Sequence, residues 1–289
     1  MHSMAPSLAL VLLSACAAWS SALASEDYDN CTGFIDSLPA TISTQGTWCL
    51  RKDLSTGMIS GSAIEIAANN VTLDCNHFKL GGLGAGTGTG AVGINAVDRK
   101  NVTVRHCSIR GFWFGMSTWG GDGHLVERNT FDSNRLYSVR VNSPQSTIRA
   151  NLIVNTGGST AGVGDAQAIR TDNGTDIIDN TISGVAPGTT DASAYGIFVA
   201  AVSSNLPATV ARNRIRGLTP NGTGVAHGIH IFNSNHTVVR DNDVQGNAAP
   251  GSVGVHCGSD RGTARDNNIS GFATGVVNCL FAGNIVNSN

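Results

Sequence analysis

The sequence predicts an all-β fold, a single-stranded parallel β-solenoid of about eight to nine coils. Three observations predict it. The first is a phrase written seven times, an Asn, one spacer and an apolar residue: Asn129-x-Phe131, Asn151-x-Ile153, Asn180-x-Ile182, Asn213-x-Ile215, Asn242-x-Val244, Asn267-x-Ile269 and Asn284-x-Val286. Its spacings of 22, 29, 33, 29, 25 and 17 residues describe stacked units whose loops absorb the differences in length. The second is an alternating refrain of a small residue followed by an apolar one, as in Gly93-Ile94, Gly115-Met116, Ser138-Val139, Ala168-Ile169, Gly196-Ile197, Gly228-Ile229, Gly254-Val255 and Gly275-Val276. The third is composition: 13% charged residues and 36 Gly suit short strands and tight turns. Such a chain grows by stacking, so its 289 residues are read as one elongated domain.

Residues 1–24 read as an export signal, with an apolar run from Leu8 to Ala18 and the small-x-small triplet Ala22-Leu23-Ala24 before Ser25. The stretch Leu13-Ser14-Ala15-Cys16 offers an alternative, a lipobox in which Cys16 becomes a lipidated first residue. The expected location is therefore secreted or periplasmic, or anchored in the outer membrane through Cys16. No later apolar run is long enough to span a membrane. Six Cys follow residue 24, an even number suited to an oxidising compartment. Stacking of coils suggests the pairs Cys31–Cys49, Cys75–Cys107 and Cys257–Cys279. No Cys-x-x-Cys occurs, and no metal site is assigned.

Residues 25–60 precede the regular repeats and are expected to cap the first coil, covering an edge that would otherwise invite end-to-end association. The solenoid then runs over 61–289. It opens at Ala63-Ile64-Glu65-Ile66, which alternates apolar and polar, and continues through Asn70-Val71-Thr72-Leu73 and Asn101-Val102-Thr103-Val104. The repeated Asn is expected to stack at one bend of successive coils, its amide bonding its neighbour and the turn backbone. Asn also tolerates the left-handed backbone that such a bend requires. The apolar residue two positions on points inward.

On these Asn-x-apolar units, and on units such as Gly228-Ile229-His230-Ile231, the chain resembles the right-handed parallel β-helix repeat proteins of the pectate-lyase-like superfamily over roughly residues 60–289. The resemblance implies a right-handed coil and a general tendency toward acidic polysaccharides. That superfamily includes lyases, hydrolases, epimerases and non-catalytic surface proteins, so the fold leaves the chemistry open. Ala226-His227-Gly228 and Arg214-Ile215-Arg216 are partial echoes of polygalacturonase motifs, and there is no Asp-Asp pair. The resemblance therefore transfers no catalytic residue. No cofactor is expected, with calcium as the alternative, although no Asp cluster of the kind that holds it in pectate lyases is evident.

Alternation supplies the candidate site. If Ile169, Ile197, Ile229 and Val255 point inward, the next residue of each coil points out, giving the column Asn95, Ser117, Arg140, Arg170, Phe198, His230, His256 and Val277. Two positions on, a second column reads Val97, Trp119, Asn142, Asp172, Ala200, Phe232 and Gly258. At about 4.8 Å per coil, Arg140 to His256 spans roughly 20 Å. The insertions 156–164, 185–193, 218–225 and 247–252 fall at equivalent positions of four coils and should stack as a wall beside this face.

The residue types suit uronic acids. Arg140 and Arg170 could clamp a carboxylate, which acidifies the adjacent C–H. His230 and His256 could move that proton, with Arg170 assisting and Asp172 orienting a His or holding a cation. Asn142, Asp172, Phe198, Phe232 and Trp119 join Arg140 as candidate binding residues. The leading expectation is an exported β-helix protein that binds extracellular or cell-envelope polysaccharide. A polysaccharide lyase or epimerase is the alternative. A glycoside hydrolase is a third, less favoured because it needs two carboxylates flanking the bond. A net charge of −2 gives no reason to expect nucleic acid, and a monomer is expected.

Overall fold

The computed structural model describes residues 28, 30–162, 164–171, 174–200, 206–232, 236–258 and 262–287. The expected export signal, Cys16 and Asp172 lie outside the described residues. The chain forms a parallel β-solenoid of three sheets with 11, 10 and 10 strands. Each coil places one strand in the first sheet, turns at the repeated Asn, places one in the second, and crosses to the third. One coil shows the pattern: Leu125–Glu127, Thr130–Asp132 and Tyr137–Asn142. Among the described residues the one helical element is a 3₁₀ turn at Leu83–Ala85, and no helix is long and apolar enough to cross a membrane.

Residues 25–60, expected as a cap, supply strands between Gly33 and Ser55 to all three sheets in register. Gly33–Ile35 pairs with Gly46–Leu50, Ala40–Ile42 with Ser62–Ile66, and Leu54–Ser55 with Lys79–Gly81. The segment thus continues the stack, adding two strands to the first sheet and one to each of the others. From residue 61 onward the third sheet holds nine strands.

Three inward stacks fill the interior. In the second sheet Leu80, Ile109, Phe131, Ile153, Ile182 and Ile215 lie in successive register, all fully buried. The apolar residue of each Asn unit therefore lands on the same residue of the next coil. Burying a side chain of this size contributes about 1.5–3 kcal/mol.

The Asn column forms a continuous ladder. From Asn129 through Asn151, Asn180, Asn213, Asn242 and Asn267 to Asn284, each Nδ2 donates to the next Oδ1 at 2.9–3.0 Å. Each also donates back to a carbonyl of the preceding coil, as Asn180 does to Ile148 at 2.9 Å. The left-handed residue of the bend is not the Asn, however. It is the residue before it: Arg128, Ala150, Asp179, Arg212, Asp241 and Asp266 have φ of 53–58°. The expectation that Asn supplies the backbone geometry is corrected accordingly. Its side chain is what the bend requires, because buried amides and carbonyls there need partners.

All three disulfides form as expected, with Cα separations of 5.8 Å for Cys31–Cys49, 4.7 Å for Cys75–Cys107 and 5.0 Å for Cys257–Cys279. Each lies within the span a disulfide bridges. Cys107 occupies the ladder position itself, its N–H donating to Asn129 Oδ1 at 2.9 Å. The Cys75–Cys107 bridge thus extends the column where the Asn residues begin.

The small residue of the second refrain also has a physical cause. A Cβ added at Gly196 would sit 2.5 Å from Ile215 Cγ2 and 2.6 Å from the Gly228 carbonyl oxygen. The equivalent Ser138 and Ala168 are fully buried. The small residue and the apolar one after it both point inward, so alternation slips by one residue at each entry to the third sheet.

Candidate functional site

The third sheet aligns the first outward column as read. Asn95, Ser117, Arg140, Arg170, Phe198, His230, His256 and Val277 are direct cross-strand partners in that order. In the second column Val97 pairs with Trp119 and Trp119 with Asn142, and Ala200 pairs with Phe232. Trp119 and Phe232 are 51% and 47% exposed, which leaves large aromatic surface in water at two places on this face.

A third column was hidden from sequence reading. Phe114, Tyr137, Gln167, Tyr195 and His227 are partners along the same sheet, one residue before the small one. Strict alternation from Phe198 would turn Tyr195 inward. The slip at Gly196 returns it to the outer face, where its ring lies 5.3 Å from Phe198 and 5.7 Å from His230. The available signal was the run of aromatic, amide and imidazole side chains immediately before each small residue.

The three columns interlock into two zones. Toward the N-terminal coils, Arg140 lies 4.8 Å from the Trp119 ring and 5.8 Å from Phe114. Arg170 lies between Tyr137 at 5.6 Å and Phe198 at 5.1 Å, with Nη1 3.5 Å from Gln167 Oε1. Aromatic rings flank both guanidinium groups, which limits their conformational freedom. In the C-terminal zone, His230 stacks on His256 at 4.6 Å and on His227 at 4.9 Å, and His227 stacks on Tyr195 at 5.0 Å. The candidate catalytic residues Arg170 and His230 are thus separated by one strand, the one that carries Phe198.

Burial sets the electrostatics of the imidazoles. His227 is only 7% exposed. Desolvation, and then the neighbouring imidazole of His256, lower its pKa to about 4. Desolvation followed by His227 and His256 takes His230 to about 3, and burial lowers His256 as well. All three are held neutral near pH 7. A base held this low gains little driving force for taking a carbon-bound proton, which weakens His230 in the catalytic role considered for it. Burial also raises the Tyr195 hydroxyl, reinforced by the charge of Asp165.

Three of the four inserted segments, 156–164, 185–193 and 218–225, bond to one another beside this face. The Gly158 N–H donates to the Ala186 carbonyl at 3.0 Å, Asn221 N–H to the Ala192 carbonyl at 3.0 Å, and Thr223 N–H to Asp191 Oδ1 at 2.8 Å. Asp165 accepts from the Ser193 N–H at 2.7 Å. The wall also recruits a segment not foreseen in it, the excursion around Leu83–Ala85. Thr160 N–H donates to the Thr87 carbonyl at 3.0 Å across a sequence separation of 73 residues. The bonded segments thus lie along one side of the third sheet.

A family model described as right handed beta helix region matches residues 57–215, just over half of the chain. A search of curated proteins finds no match. Among solved structures, a mutant tailspike protein of E. coli bacteriophage HK620 in complex with a pentasaccharide is similar at 12% identity and a TM-score of 0.46, over 89% of this chain and 58% of that one. The Dettilon tailspike protein is similar at 13% identity and 0.46, over 88% and 60%. The Agl-KA catalytic domain is similar at 12% identity and 0.33, over 86% and 58%. The chain spans 58–60% of the length of these structures.

Proposed function

The chain belongs to the right-handed β-helix family, and we propose that it binds an acidic polysaccharide lengthwise along the outer face of its third sheet. One observation carries this reading: Arg140 and Arg170 stand in adjacent coils, each flanked by aromatic rings, on a face bordered by a wall. Two guanidinium groups on neighbouring strands, which lie about 4.8 Å apart, can engage carboxylates on a glycan chain lying along the sheet. Trp119, Phe198 and Phe232 offer apolar surface to sugar rings, and Asn142 adds a polar contact. Export to the cell envelope or outside it belongs to the same reading, and three disulfides are compatible with that setting.

The test is a panel of pectate, alginate, glycosaminoglycan and bacterial exopolysaccharides, with and without calcium. Saturable binding to an acidic member, weakened about tenfold or more in Arg170→Ala and in Arg140→Ala, is the expected outcome. Wild-type affinity in both variants would show that another face carries the glycan. The same panel reads the lyase or epimerase alternative, through unsaturated products or an altered epimer ratio, and the hydrolase alternative, through new reducing ends.

A further inference from the structure

We infer that His227, His230 and His256 form a three-imidazole centre for a divalent transition-metal ion of the zinc class, with an open coordination position on the outer face of the third sheet. Three observations converge on it. The ligand nitrogens of the three side chains all lie within 4.8 Å of one another, and among the described residues no other trio of His, Cys, Asp or Glu converges in this way. Each ring leaves a buried Nδ1 without a hydrogen-bond partner, although buried polar atoms in folded proteins are nearly always paired. His227 is moreover 93% buried by its 7% exposure, so water does not readily satisfy that nitrogen.

The fold builds the trio from two kinds of spacing. His227 and His230 belong to one strand, Ala226–Phe232, and the inward slip at Gly228-Ile229 puts both on the outer face. His256 is the cross-strand partner of His230 in the next coil. Tetrahedral coordination at about 2.0–2.1 Å per bond sets ligand nitrogens roughly 3.3 Å apart, so side-chain rotation of the order of 1 Å closes the cluster. Three nitrogen donors without a carboxylate suit zinc, copper, nickel or ferrous iron and not calcium or magnesium, which take oxygen. Three protein ligands leave a fourth position, the arrangement of an open rather than a closed site. It opens beside His230 and His256, the two half-buried members, where an oxygen donor such as water or a glycan carboxylate can reach it.

Metal binding is measurable without any polysaccharide, so the glycan reading and this one fail separately. The full chain, carrying no polyhistidine tag, is stripped with chelator and titrated with Zn²⁺ and Co²⁺ by calorimetry. One ion per chain is expected, unaffected by millimolar Ca²⁺, with Co²⁺ giving the visible spectrum of a four-coordinate ion. His227→Ala, His230→Ala and His256→Ala should each weaken binding about 100-fold or more, since removing even a supporting group typically costs 10–100-fold. His256→Gln, at a half-buried position, serves where an alanine variant loses its β-sheet circular dichroism. His236→Ala, at an exposed position, should bind as the wild type does. Absence of stoichiometric Zn²⁺ or Co²⁺ binding overturns the proposal, as does wild-type affinity in folded variants of all three histidines.

Discussion

At the level of single residues, this protein is held together by amides that bridge coils. Asn180 accepts from Asn151 through both backbone and side chain, and its own Nδ2 reaches Asn213, Ile148 and Ile178. Asn180→Ala should therefore destabilise by about 2–5 kcal/mol, because several buried groups lose partners worth about 1–3 kcal/mol each. Asn284→Ala, at the last rung and only half-buried, should cost much less. Urea denaturation of the two variants decides; equal losses would refute a cooperative ladder. His124 carries a second residue-level prediction. It is 2% exposed, its Nδ1 accepts from the Val102 N–H at 3.2 Å, and burial lowers its pKa below 6.5, opposed by the Gly120 carbonyl and Asp122. Below pH 6.5 the unfolded chain takes up a proton that the folded chain resists, so this contribution is full at neutral pH and is lost as pH falls through the lowered value. His124→Asn, which keeps an acceptor, should flatten the decline in melting temperature between pH 7 and pH 4 relative to wild type.

At the level of elements, the wall depends on side chains that tie one inserted segment to the next. Asp191 accepts both the N–H and the hydroxyl of Thr223, at 2.8 and 2.9 Å. Those bonds hold its carboxyl below the ordinary carboxylate value of 3.8. The tie is therefore complete at pH 5 and is lost only as pH falls through that lowered value. Gly222 fits the same contact: its φ is 58°, and a Cβ there would press on the Asp191 carboxylate. Asp191→Ala should raise amide hydrogen exchange across 218–225 at pH 5 while leaving the strand Ala194–Ala200 protected. Unchanged exchange in the inserted segment would show that the wall stands without this bond.

For the whole molecule, stability should be a sum of coil-to-coil terms, because each coil touches its neighbours along parallel sheets. Disulfides join coils at both ends of that stack. Cys257–Cys279 ties the strand Val253–Cys257 to the coil that follows. That coil leaves Leu280, Ile285 and Val286 at 55, 61 and 45% exposure, so it buries little and the bridge compensates. The double variant Cys257→Ser/Cys279→Ser should lose about 2–4 kcal/mol of local stability. Exchange protection should fall from Val253 onward and persist in Ala166–Thr171. Uniform loss of protection along the chain would show a single cooperative unit instead of a stack.

The sequence alone determined the coil. The periodic Asn and apolar residues lock register, because a one-residue shift would break every inward stack and every rung together. For the same reason it determined the outward column from Arg140 to His256, and the cysteine pairs that stacking brings together. Two local features lay beyond it. The bend places its left-handed backbone one residue before the Asn, and the small residue before each inward apolar one turns inward as well. Neither is visible in a pattern of period two, since both depend on space in the interior: the room left by Ile215 beneath Gly196 decides which way Tyr195 points. Only the tertiary structure could therefore bring His227 onto the face of His230 and His256, and burial there, a property of the packed face and not of the residue types, lowers the pKa of all three imidazoles.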